Sequence, residues 1–119
     1  MERTFYYLGT CSTCARIMKG IPGLKRFTLR EIKGEPVTAA ELDRMKELAG
    51  SYEALFSRIA LKYRALGLNT KKLTEKDYRK HILAEYTFLK RPIMIVDDTI
   101  RIGNAPKVRA AMAELARTV

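Results

Sequence analysis

Cys11 and Cys14 are the only two thiols in 119 residues, and only Ser12 and Thr13 separate them. In its context this C-x-x-C reads as thiol redox chemistry rather than a structural staple. An apolar run, Phe5-Tyr6-Tyr7-Leu8, precedes it, and a helical pattern, Ala15-Arg16-Ile17-Met18-Lys19-Gly20, follows. At such a junction Cys11 caps the helix, facing unpaired backbone N–H groups and the positive end of the helix dipole. Both favour S⁻ over SH, and the thiolate is the nucleophile. Cys14, one turn further on, either resolves a mixed disulfide formed on Cys11 or simply packs in the helix. Two cysteines and one distant histidine, His81, cannot complete a tetrahedral metal site. His81 itself, beside Lys80 on a polar helix, reads as a surface or helix-end residue.

The elements that must position these thiols follow from periodicity and punctuation. Residues 3–9 read as a strand apolar on both sides, residues 13–20 as a helix ended by Gly20 and a Pro22-Gly23 turn, and residues 25–31 as a second strand. Thr38 with Glu41 three residues on is a capping-box pattern; Leu42, Met45 and Leu48-Ala49 give that helix its apolar face, and Gly50 stops it. A further helical stretch is expected from Tyr52 to about Ala65, ending at Gly67, and another from Thr74 with Tyr78, Ile82 and Leu83 at helical spacing. Pro92 to Val96 and Ile100-Arg101-Ile102 are strands joined by an Asp97-Asp98 turn into a hairpin, and Asn104 to Ala116 closes the chain as a helix.

That order is β-α-β, a helical block, then β-β-α. With a C-x-x-C at the end of the first strand it predicts an α/β, thioredoxin-like fold: a mixed four-stranded sheet with a helical insertion at about 38–86 of a single 1–119 domain. The crossover rule makes the first two strands parallel and leaves the closing hairpin antiparallel.

Composition narrows the surroundings. Lys plus Arg number 23 against 13 acids, a net charge of +10. Such a surface suits nucleic acid, an acidic protein or an anionic small substrate. The cations are spread over every segment, however, which favours a solubility role. No long uncharged apolar run offers a membrane span. The start, Met1-Glu2-Arg3, leads into a short alternating segment unlike a secretory signal, so two cysteines at this spacing fit a reducing cytoplasm. No P-loop or dinucleotide fingerprint is present.

Four stretches carry a family resemblance: Tyr6-Tyr7-Leu8-Gly9-Thr10-Cys11-Ser12-Thr13-Cys14; Tyr52 to Arg58 leading to Tyr63-Arg64-Ala65-Leu66-Gly67-Leu68; Leu89-Lys90-Arg91-Pro92-Ile93-Met94-Ile95-Val96; and Ile102-Gly103-Asn104. In their order and spacing the chain resembles the arsenate reductase (ArsC-like) family, which also contains the Spx-type transcriptional regulators and the thiol reductases known as YffB. The resemblance implies a thioredoxin-like fold with a helical insertion and a nucleophilic role for Cys11. It makes Thr10, Ser12 and Thr13 substrate-binding residues of the cysteine loop. It makes Pro92 the cis-proline beside that loop, and Arg91 an arginine that faces the nucleophile and holds oxyanions with its planar fork of donors.

Two positions depart from the reductase pattern. The arginine expected in the insertion aligns strictly with Ser57, with Arg58 one residue later as the substrate-binding candidate there. Asn104, the substrate-binding candidate after the last strand, stands where the pattern has a further arginine, and Arg101 lies a little earlier. A neutral amide in place of a bidentate cation weakens binding of a doubly charged oxyanion. Disulfide chemistry is therefore expected over arsenate chemistry.

The resemblance implies no bound cofactor and an electron donor such as glutathione, glutaredoxin or thioredoxin. It implies a small thiol or oxyanion substrate, a redox protein as partner, and a monomer. The alternative it offers is an Spx-type redox-sensing regulator that binds RNA polymerase and is switched by a Cys11–Cys14 disulfide. Spx-type chains usually continue past the last helix with a basic extension, whereas this one ends at Val119, which favours a small reductase.

Overall fold

In a computed structural model that describes residues 2–119, the first strand, β1 (Arg3–Tyr7), occupies the middle of a sheet. It pairs in parallel with β2 (Thr28–Glu31), Tyr7 opposite Glu31. On its other edge it runs antiparallel to β3 (Ile93–Val96), Tyr6 opposite Ile93. β3 forms an antiparallel hairpin with β4 (Thr99–Ile102), Ile93 opposite Ile102. The order β2-β1-β3-β4 is the mixed four-stranded sheet expected of the thioredoxin-like class. The parallel pair is joined by α1 (Ser12–Lys19), as a parallel connection requires. The hairpin turns at Asp97-Asp98, where Asp97 takes φ 50, a left-handed conformation that a short acidic side chain tolerates.

All four residues of β3 are buried, and their alternation sends Met94 and Val96 to one face. There they pack with Phe5 of β1, Ile17 of α1, and Ile21, Leu24 and Phe27 of the connection. Met112 and Ala116 of α5 (Pro106–Arg117) complete this cluster. α5 opens with Pro106, whose fixed φ suits a first helical position.

The chain divides into two compact units. One comprises the residues up to Glu35 together with Arg91–Val119, and the other is Pro36–Lys90, the helical insertion. The insertion carries α2 (Ala39–Ala49), α3 (Leu61–Ala65) and α4 (Glu75–Ala84). The Thr38/Glu41 capping box forms, with Glu41 N–H to Thr38 Oγ1 at 3.1 Å and Thr38 N–H to Glu41 Oε1 at 2.9 Å. Gly50, at φ 97, ends α2 in the left-handed region. Thr74 and Asp77 form a second box at the start of α4. Phe56 stacks on Phe88 at 5.0 Å between ring centroids and meets Tyr78 at 4.9 Å, forming an aromatic centre.

Two expectations are corrected. Residues 52–65 are not one helix. A 3₁₀ turn at Glu53–Leu55 gives way to extended backbone at Phe56, and α3 restarts only at Leu61. Phe56 bridges Leu89 antiparallel, Ser57 N–H reaches Phe88 C=O at 2.7 Å, and Lys90 N–H reaches Leu55 C=O at 2.8 Å. Those partners satisfy backbone groups that a helix would have paired locally. The second strand also starts late, at Thr28, because Leu24–Arg26 form a 3₁₀ turn that buries Leu24, with Phe27 buried just after it. Among the described residues no helix is long and apolar enough to cross a membrane.

Candidate active site

After β1 the chain turns through Leu8-Gly9-Thr10, closed by the Cys11 N–H donating to Leu8 C=O at 3.0 Å. Cys11 is the N-cap of α1, with φ −89 and ψ 110, and its Sγ accepts the Cys14 N–H at 3.3 Å. A sulfur thus takes the place that a serine or aspartate oxygen usually fills at a helix start. The first turn, Ser12-Thr13-Cys14-Ala15, contains no carboxylate to compete for those N–H groups.

The two thiols, both free, are driven apart in acidity. Burial pushes the Cys11 thiol up. Against it work hydrogen bonds from the backbone and side chain of Cys14, the Thr13 N–H and the positive charge of Arg91, and the balance falls below the usual thiol value of 9.0. Cys14, only 1% exposed, is pushed up to about 11 by burial. Bonding to and charge on Cys11 add to that rise, which the Leu8 N–H and Arg91 only partly offset. The half-buried Cys11 thus favours thiolate while its buried neighbour keeps its proton.

Sheet register assembles the rest. Since Tyr6 faces Ile93 and Ile93 faces Ile102, the residues after β1, before β3 and after β4 emerge at one end of the sheet. The Arg91–Pro92 peptide is cis, and Pro92 C=O accepts the Gly103 N–H at 2.9 Å. Gly103 sits at φ 96, where a side chain would be strained. Asn104 follows it, exposed. Thr10 and Ser12 are exposed on the cysteine loop, and Thr13 is half-buried. Arg101 directs Nη1 to Ile100 C=O at 3.1 Å.

Within the insertion, Arg58 donates from Nη2 to Glu53 Oε2 at 2.7 Å and to the Tyr78 hydroxyl at 2.9 Å, with its guanidinium 5.7 Å from the Tyr78 ring centroid. Ser57 beside it is buried. His81 lies edge-on to Phe88 at 5.8 Å, in the last turn of α4.

One residue of the site escaped sequence reasoning. Glu31, at the end of β2, accepts the Gly9 N–H on Oε2 at 2.7 Å, and on Oε1 the N–H groups of Gly34 at 2.7 Å and Lys33 at 3.1 Å. The Gly9 bond, foremost, holds its carboxyl below the usual range. The Gly9 contact spans 22 residues, so no local pattern announces it.

The sequence profile of the ArsC family matches residues 6–112. An ArsC-family-related protein from Bacteroides fragilis shares the fold at 24% identity, over 94% of this chain and 98% of that one, with a TM-score of 0.77. An arsenate reductase from Vibrio cholerae does so at 19% identity, over 94% and 98%, with a TM-score of 0.73. At these identities the likeness speaks to fold alone. A candidate arsenate reductase from Streptococcus mutans is 29% identical over 85% of this chain and 89% of its own, with a TM-score of 0.66. No curated protein sequence matches the chain.

Proposed function

The chain belongs to the ArsC family, and on that premise we propose that it is a thiol-dependent oxidoreductase with Cys11 as nucleophile and Cys14 as resolving thiol. The observation that carries this reading is the unequal pair: a helix-capping Cys11 held below the ordinary thiol pKa, beside a buried Cys14 raised to about 11. Exchange needs that inequality, because the attacking sulfur must be ionised first and the resolving sulfur must wait.

The steps balance as follows. Cys11 S⁻ attacks one sulfur of a substrate disulfide R–S–S–R′, forming Cys11–S–S–R and releasing R′S⁻, which takes a proton. Cys14 then loses its proton and attacks Cys11 Sγ, forming the Cys11–Cys14 disulfide and expelling RS⁻. The substrate gains two electrons and the cysteine pair loses two. Two glutathione molecules, leaving as their disulfide, or one dithiol thioredoxin or glutaredoxin return them in the cytoplasm. Arg91, whose charge already favours the Cys11 thiolate, is suited to hold a carboxylate or oxyanion of the substrate. Mixed disulfides with glutathione are favoured over arsenate, because Asn104 offers a neutral amide where a doubly charged oxyanion calls for a cation.

The test is reduction of a panel comprising a glutathione mixed disulfide, a protein disulfide and arsenate, with each donor, by wild type and Cys11→Ala. Wild type is expected to reduce the glutathione mixed disulfide, and Cys11→Ala to reduce nothing. A wild type inert towards every substrate with every donor, or an active Cys11→Ala, contradicts the proposal.

A further inference from the structure

We propose that Glu31 is a positioning residue for Cys11: its carboxylate clamps the Leu8–Cys11 turn to the end of β2 and so sets the nucleophile at its helix start. The inference rests on Cys11 being the nucleophile, and it concerns what holds that sulfur in place. The clamp is built in two stages. Oε1 is anchored at home by the Lys33 and Gly34 N–H groups, which fixes the side chain before it reaches the cysteine loop. Oε2 then takes the Gly9 N–H at 2.7 Å, a charge-assisted bond of the stronger kind. The loop lies flush on the carboxylate arm, since a Cβ on Gly9 would meet both Cγ and Oε2 of Glu31 at 3.4 Å.

The route from clamp to sulfur is short. Gly9 is the second residue of a four-residue turn whose ends are tied by Cys11 N–H to Leu8 C=O at 3.0 Å. The residue that closes this turn is the one whose Sγ receives the Cys14 N–H. The Tyr7 C=O accepts the Ile32 N–H at 2.9 Å, so the chain on both sides of Glu31 and Gly9 is already in register. Without the carboxylate, the Gly9 N–H loses its partner and the turn its only side-chain tie to β2 among the hydrogen bonds described.

Groups acting electrostatically on Cys11 include Arg91, Cys14 and the Thr13 N–H, and Lys33 is a charged neighbour of Glu31. This gives the test a sign. Removing a negative charge near a thiol, by itself, makes the thiol more acidic. Loosening the turn takes the sulfur away from its N–H donors and makes it less acidic.

The experiment follows the alkylation rate of Cys11 against pH, resolved by peptide mass spectrometry, in wild type, Glu31→Ala, Glu31→Gln and Gly9→Ala, with thermal melts reporting folding. Glu31→Ala is expected to move the Cys11 profile to higher pH and to slow alkylation at neutral pH by about three- to tenfold, as a shift of up to one pKa unit gives. Glu31→Gln keeps one acceptor oxygen and is expected to fall between wild type and Glu31→Ala. Gly9→Ala puts its Cβ in ordinary contact with the carboxylate arm, keeps the Gly9 N–H bond, and serves as the control expected to leave the profile in place. If Glu31→Ala does not fold, Glu31→Gln decides. Folded Glu31 variants whose profiles stay put, or move to lower pH as charge removal alone would cause, overturn the clamp. A wild-type Cys11 that reacts only as an ordinary free thiol overturns the nucleophile reading instead.

Discussion

At Cys11 the favourable contacts belong to the charged form: the Cys14 N–H reaches Sγ at 3.3 Å, and Arg91 contributes positive charge. One turn further on, Cys14 has been taken out of water, where the neutral form is preferred. These opposite shifts make opposite statements about stability. The folded-state pKa of Cys14, about 11, lies above the thiol's ordinary 9.0. Its contribution is therefore fully present below pH 9 and lost as pH rises through 11. Cys11 is depressed, so its contribution is present above the ordinary thiol value and lost as pH falls through the folded one. Urea unfolding from pH 8 to about 11 is expected to show a steeper loss of stability in wild type than in Cys14→Ala. Parallel curves would mean that Cys14 titrates like a free thiol.

Among the elements, those with local chemistry were legible in the chain. Thr38-x-x-Glu41 and Thr74-x-x-Asp77 signal two helix starts, and both form reciprocal capping boxes. At the second, the Asp77 N–H donates to Thr74 Oγ1 at 3.3 Å and the Thr74 N–H to Asp77 Oδ2 at 2.8 Å. Thr74→Ala is expected to lower unfolding stability by about 1 kcal/mol, read from the urea midpoint, and Thr74→Ser to restore most of it. An unchanged midpoint in Thr74→Ala would remove the box from the account of α4. The stretch at 52–65 was illegible because its decisive partners, Phe88 and Leu89, lie some thirty residues away and pair through backbone atoms that carry no side-chain pattern.

For the molecule as a whole, the mixed sheet and the cysteine loop follow from the strand–loop–helix signature at Cys11, the crossover rule and the closing hairpin pattern. The gathering of Leu8–Cys11, Arg91–Pro92 and Gly103–Asn104 at one sheet end comes from register, which composition alone does not show. The Glu31 clamp was beyond reach, because a strand-end carboxylate looks like any other until its 22-residue contact with Gly9 closes. These observations meet in one half-buried thiol held below its usual value beside a buried one pushed up to about 11. The most direct measurement is intact-mass and peptide spectrometry of wild type and Cys14→Ser after incubation with oxidised glutathione. The expected result is a single glutathione held on Cys11 in Cys14→Ser, and in wild type its replacement by a Cys11–Cys14 disulfide. Glutathione retained on Cys11 in wild type, or found equally on both cysteines, would contradict the division of labour between them.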